Sequence, residues 1–181
     1  MTRLVAVLVA AVLALAGCGV PLDDEPRAIE TPGVLNAPGS TAPDQAGTAV
    51  LRLYLVRDGR LVRVPRRVPA LLGPHQSLTA LLAGPTADEA AAGLTSALST
   101  MSVTGLRLAD HRATVSIADP PDQLVRSDDV LGFAQIVCTL TSQTEVGTVS
   151  FEANGQPLAV PRADGSLADE PLTIADYNGL L

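Results

Sequence analysis

Three regimes of hydrophobic patterning follow one another along the chain. Leu4 to Leu15 is an unbroken apolar run. From Gly19 to about Gly47 no apolar period appears, and Pro21, Pro26, Pro32, Pro38 and Pro43 stand among Gly, Ser, Thr and acidic residues. Such a stretch cannot bury enough apolar surface to offset the entropy of ordering, so it reads as a disordered tether. From Ala49 onward the apolar residues recur at the spacings of strands and helices.

Leu51, Leu53 and Leu55 alternate with Val50, Arg52, Tyr54 and Val56, the period-2 pattern of a strand. Asp58-Gly59 supplies the positive φ angles of a type I′ turn, and Leu61 to Val64 returns until Pro65 stops the strand or marks it as an edge. Pro74 suits the first turn of a helix, with Leu78, Leu81 and Leu82 on one face and Gly84-Pro85 ending it. Thr86-Ala87-Asp88-Glu89 has the spacing of a capping box and opens a short helix through Ala92, stopped by Gly93. Val103 to Leu108, an Asp110-His111 turn, and Ala113, Val115 and Ile117 predict a second hairpin.

After Asp119-Pro120-Pro121-Asp122 a longer helix is predicted from about Asp128 to Ser142, capped by Ser127. Val130, Phe133, Ala134, Val137, Leu140 and Thr141 fall on one side of its wheel, and Gln135, Thr139 and Ser142 on the other. Val146 to Phe151, Asn154-Gly155 and Leu158 to Val160 read as a third hairpin. The apolar tail (Leu172, Ile174, Tyr177, Leu180 and Leu181) is expected to pack back onto the domain. Hairpins separated by single helices give an α+β class, with helices on one face of a largely antiparallel sheet.

The apolar run at the N-terminus takes its meaning from what flanks it. Arg3 precedes it, and Leu15-Ala16-Gly17-Cys18 closes it. One positive charge, a short apolar core and small residues before a cleavage point make a secretory signal peptide. The run is shorter than the roughly 20 residues a membrane-spanning helix needs. Polar and helix-breaking residues follow at once, which suits processing better than spanning. A cysteine directly after the small residues resembles the lipobox of bacterial lipoproteins. The resemblance implies cleavage between Gly17 and Cys18, with Cys18 acylated as the first mature residue. The chain then divides into a signal peptide (1–17), a Pro-rich tether (18–47) and a single domain (48–181). Two acyl chains would anchor stably where one binds only marginally. A tether of this length spans roughly 30 Å and lets the domain stand off the bilayer.

Composition narrows the partners. The formal charge of −7 becomes −8 once Arg3 leaves with the signal, which argues against nucleic acid, since phosphate contacts need a basic face. Aromatics make up 2% of the chain and tryptophan is absent, so stacking platforms for sugars or bases are poorly supplied. With Cys18 acylated, Cys138 has no intramolecular partner, and its place in a helix predicts a small buried residue.

Catalytic signatures are lacking. His75 and His111 have no metal-ligand spacing with other His, Cys or carboxylates. There is no Gly-x-Ser-x-Gly elbow and no phosphate loop. Asp128-Asp129 is explained by the positive end of a helix. No cofactor or metal is therefore expected, and the chain is not read as an enzyme. One charge concentration stands out: Arg57, Arg60, Arg63, Arg66 and Arg67, around the first hairpin and its exit. It could meet an anionic partner, or it could be a solvated edge whose charges discourage strand pairing.

Several segments taken in order resemble the GerMN domain of sporulation and germination proteins. They are Leu81-Leu82-Ala83-Gly84-Pro85, Ala113-Thr114-Val115-Ser116-Ile117, Ala134 to Leu140, and Val149-Ser150-Phe151 before Asn154-Gly155. The resemblance covers about Ala49 to Pro161, in one copy. It implies a fold similar to the ring-building motif, a small sheet backed by two helices, here with extra hairpins. It implies an envelope interaction module and carries over no catalytic residue. The functional expectation is a lipoprotein held at the outer face of the cell membrane by Cys18, docking an envelope protein in cell-envelope assembly or regulation. The alternative is a lipoprotein that binds a small ligand or a cell-wall glycan.

Overall fold

Six residues in three pairs set the hairpins. Asp58 and Gly59 (φ 51° and 72°), Asp110 and His111 (50° and 60°), and Asn154 and Gly155 (52° and 75°) all adopt positive φ. That is the two-residue type I′ geometry, whose twist matches that of the strands it joins. The computed structural model describes residues 47–118, 120 and 127–181. The apolar run, Cys18 and nearly all of the Pro-rich stretch lie outside the described residues.

Strand β1 (Ala49–Arg57) pairs antiparallel with β2 (Arg60–Val68). Helix α1 (Pro74–Leu82) starts with proline at its first turn, and the Gly73 N–H donates to Gln76 Oε1 at 3.1 Å. Gly84 leaves the helix at φ 77°. Helix α2 (Ala87–Ala91) opens on the predicted capping box. The Thr86 N–H donates to Glu89 Oε2 at 2.8 Å, and the Glu89 N–H to Thr86 Oγ1 at 3.3 Å. Strands β3 (Ser102–Ala109) and β4 (Arg112–Ala118) follow, then α3 (Ser127–Thr141) and β5 (Thr148–Ala153). Short strands β6 (Gln156–Pro157), β7 (Val160–Pro161) and β8 (Leu167–Ala168) precede a terminal 3₁₀ helix, Ile174–Leu180.

The strands form three sheets rather than one. β1–β2 stands alone, β3-β4-β5-β6 makes a four-stranded sheet, and β7–β8 a third. Hairpin pairing is antiparallel throughout, but β4 and β5 run parallel, from Arg112↔Thr148 to Ile117↔Ala153. Parallel neighbours need a long crossover, and the 15-residue α3 supplies it. The third return strand is shorter than the alternation suggests. Leu158 still donates to Phe151 O at 2.9 Å, whereas Val160 leaves the sheet to pair with Ala168. The C-terminal tail packs as expected: Leu172 and Tyr177 are buried, Leu172 exchanges backbone bonds with Val149, and the Tyr177 hydroxyl donates to Pro161 O at 2.9 Å.

The amphipathic reading of α3 is corrected by its surroundings. Every residue from Leu131 to Leu140 is buried, Gln135 and Thr139 included. Its apolar side meets β5, with Phe133 edge-on to Phe151 at 4.9 Å between ring centres. Its polar side meets the open edge of β1. In that hairpin Tyr54 and Val56 turn their backbone groups away from β2. Val56 exchanges bonds with Thr95 at 2.8 and 2.9 Å. The Tyr54 N–H donates to Thr139 Oγ1 at 3.0 Å, and Gln135 Nε2 donates to Tyr54 O at 2.9 Å. Gln135 Oε1 also accepts from the Ala97 N–H at 2.7 Å. A stripe that periodicity assigns to solvent thus completes a strand edge, because buried backbone groups must find partners.

Candidate interaction surface

The register fixed by Asp58-Gly59 sorts the five arginines onto two faces. Arg57, Arg60 and Arg66 share a face with Leu51, Leu53 and Leu55, while Arg63 and Arg67 share the other with Val50, Arg52, Tyr54 and Pro65. Proximity in sequence therefore does not make one patch.

The first three are occupied within the fold. Arg66 makes a bidentate pair with Glu89, Nε to Oε1 at 2.8 Å and an end nitrogen to Oε2 at 2.6 Å, and it also donates to Gly84 O at 2.8 Å. Both side chains are only 15% and 14% exposed. Arg66 thus ties the hairpin to the start of α2. Arg57 donates to Ala92 O at 3.0 Å and Arg60 to Leu181 O at 2.6 Å, holding neighbouring chain against the turn.

Arg63 and Arg67 are exposed, and among the described residues neither meets a carboxylate. A third exposed arginine joins them. Arg52 sits opposite Pro65, the residue midway between Arg63 and Arg67. Diagonal neighbours across an antiparallel pair lie ~7–8 Å apart, so one side chain of Arg length reaches the next. Arg52 was legible in the sequence once the turn had set the register; grouping by linear proximity passes over it. Burial, and then Cys138, raise the Tyr54 phenol above its ordinary value, while Arg63 and Arg52 pull it down. Both guanidinium groups are therefore within electrostatic reach of that ring.

Both histidines bond the backbone of neighbouring segments. His75 Nε2 lies 2.9 Å from Leu106 O and His111 Nδ1 lies 3.2 Å from Glu145 O. Because a carbonyl only accepts, those nitrogens carry the proton. Cys138 is fully buried, and burial pushes its thiol up to about 12, away from the thiolate a nucleophile needs. Among the described residues no group of three His, Cys, Asp or Glu could hold a metal. No helix among them is long and apolar enough to cross a membrane. Open hollows of about 160 Å³ (beside Thr95 and Asp128), 220 Å³ (between α1 and β3, beside His75) and 390 Å³ (beside Arg162 and Asp176) lie on the surface.

A family model described as Germane, sporulation and spore germination, matches residues 42–159, well over half of the chain. The chain belongs to the Germane family. The fold agrees with solved relatives. The tandem GerMN domains of the sporulation protein GerM from Bacillus subtilis superpose with a TM-score of 0.52 at 20% identity, covering 82% of this chain and 50% of that one. The first GerMN domain of the same protein gives 0.51 at 21% identity, covering 70% of this chain and 98% of that one. This Germane chain thus spans half the length of the tandem structure and matches nearly all of the single domain. At this identity the likeness establishes the fold. No curated protein matches the chain.

Proposed function

We propose that this Germane-family protein is an extracytoplasmic lipoprotein, anchored in the cell membrane by acylated Cys18, whose GerMN domain docks an envelope protein without catalysing a reaction. The lipobox-like Leu15-Ala16-Gly17-Cys18 carries the reading. Histidines that bond backbone carbonyls and a fully buried Cys138 support its second half. The tether between Cys18 and Ala49 gives such a module a reach of roughly 30 Å along the membrane surface.

Two measurements test it. Cys18→Ala is expected to move the protein from the membrane pellet to the soluble fraction after a high-salt wash, because the thioether anchor is lost. Retention in the washed membranes overturns the anchor. Cross-linking in intact cells is expected to capture the same membrane protein repeatedly on the wild-type domain. Capture of glycan fragments or a small molecule alone would defeat the docking account.

A further inference from the structure

Among the described residues Arg52, Arg63 and Arg67 meet no carboxylate, and the strand register gathers these three exposed side chains on one face of a chain of net charge −7. They stand on the first hairpin beside the exposed Val50 and Pro65, and that face becomes buried toward the turn, at Tyr54, Val56 and Leu61. Like charges so placed repel one another. Protection of an open strand edge accounts for only part of the set. β2 does have an open edge, on which Pro65 removes an N–H and Arg63 and Arg67 add charge, the usual defence against strand pairing. Arg52 lies on β1, whose own outer edge is already closed by Thr95, Gln135 and Thr139. It guards nothing.

Position supplies the occupant. Arg52 and Arg67 lie in the half of the hairpin toward its open end, where Ala49 pairs with Val68 and the chain from Cys18 enters the domain, and Arg63, opposite Tyr54, lies one pair past the midpoint toward the turn. The opposite end, at the turn, is tied down by Arg57 and Arg60. On a lipid-anchored chain the tether raises the effective concentration of the domain at the bilayer surface, so that weak contacts there count. A planar guanidinium matches phosphate oxygens with two parallel hydrogen bonds, a fit that a point charge lacks.

We propose that Arg52, Arg63 and Arg67 form a docking face for anionic phospholipid headgroups, laying the hairpin against the membrane that holds Cys18. The proposal rests on the lipoprotein reading above, and it assigns the face of the domain turned toward the bilayer. Held this way, the domain keeps one orientation although its tether is long.

The test uses the chain from residue 18 onward carrying Cys18→Ser, so that no acyl chain contributes. Co-sedimentation at low salt is expected with vesicles of phosphatidylcholine plus phosphatidylglycerol and not with phosphatidylcholine alone. Each basic side chain near an anionic surface contributes about a factor of five, so Arg52→Gln/Arg63→Gln/Arg67→Gln should weaken binding about a hundredfold. Arg57→Gln/Arg60→Gln, off this face, should leave it unchanged. Raising the salt on the unsubstituted arginines should abolish binding in the same way, a reading that needs no folded variant. Absence of binding to the anionic vesicles, equal binding to both vesicle types, or full binding by the triple variant overturns the proposal. Because the probe carries no lipid, these outcomes are independent of the Cys18→Ala fractionation. A bound acidic protein in place of vesicles would likewise exclude the headgroup assignment.

Discussion

Gln135→Leu is expected to cost about 2–4 kcal/mol of unfolding free energy, measured as a lower urea midpoint with unchanged slope. Leucine matches glutamine in bulk, so the loss reports hydrogen bonding rather than a hole. Gln135 is fully buried, and its amide serves two backbone groups from different segments, Tyr54 O at 2.9 Å and the Ala97 N–H at 2.7 Å. With leucine the Tyr54 carbonyl is left unpaired in a dry interior, costing about 1–3 kcal/mol, and the half-buried Ala97 N–H loses its acceptor for about 1 kcal/mol. Thr139→Val keeps the shape of the neighbouring side chain and removes the acceptor of the Tyr54 N–H. It should lose about 1–3 kcal/mol by the same reasoning. If Gln135→Leu lost less than about 1 kcal/mol, the idea that α3 closes the edge of β1 would be wrong.

Glu89→Ala should destabilise the domain by about 3 kcal/mol, since it removes an N-terminal cap and leaves Arg66 without its carboxylate. Glu89→Gln separates the two contributions. Glutamine keeps the capping geometry but not the charge, so its loss, about 1–2 kcal/mol, belongs to the ion pair. The pair also predicts a pH dependence. The hydrogen bond from Arg66, joined by the Thr86 N–H and opposed by burial, holds the Glu89 carboxyl below its ordinary value of 4.5. The unfolded chain therefore takes up this proton first as pH falls. The stabilisation is complete above about pH 4.5 and is lost as the pH falls through the lowered folded value. Thermal unfolding of Glu89→Gln should show a flatter acid limb than wild type. Identical limbs would mean that the pair does not titrate with folding.

Local chemistry was readable wherever one or two neighbouring residues decide the backbone. Asp58-Gly59, Asp110-His111 and Asn154-Gly155 each adopt the positive φ pair their composition announces. Thr86 and Glu89 close the capping box their spacing implies, and Gly84 ends α1. The buried state of Cys138 follows equally from its place in an apolar helix. These features depend on sterics and hydrogen bonds within a few residues, which the sequence contains in full.

Readings that needed a partner from elsewhere in the chain fared differently. Gln135 and Thr139 look like a solvent face because a helical wheel knows nothing of the strand edge of β1. Arg66 looks like a member of a basic patch because Glu89 is distant in sequence, yet it lies within 2.6 Å of it in space. The parallel β4–β5 pairing was hidden because alternation marks a strand and carries no information about its neighbour.

By itself the sequence determined the three type I′ turns, the main strands beside them, helices α1 to α3, the α+β class and the Germane kinship. Tertiary structure alone decided which polar side chains are surface and which are joints. It placed Gln135 and Thr139 inside, spent Arg66 on Glu89, and left Arg52, Arg63 and Arg67 together on one face. The reason is physical: backbone conformation answers to near neighbours, whereas the partner of a polar group is whatever folding brings within 3 Å or so of it.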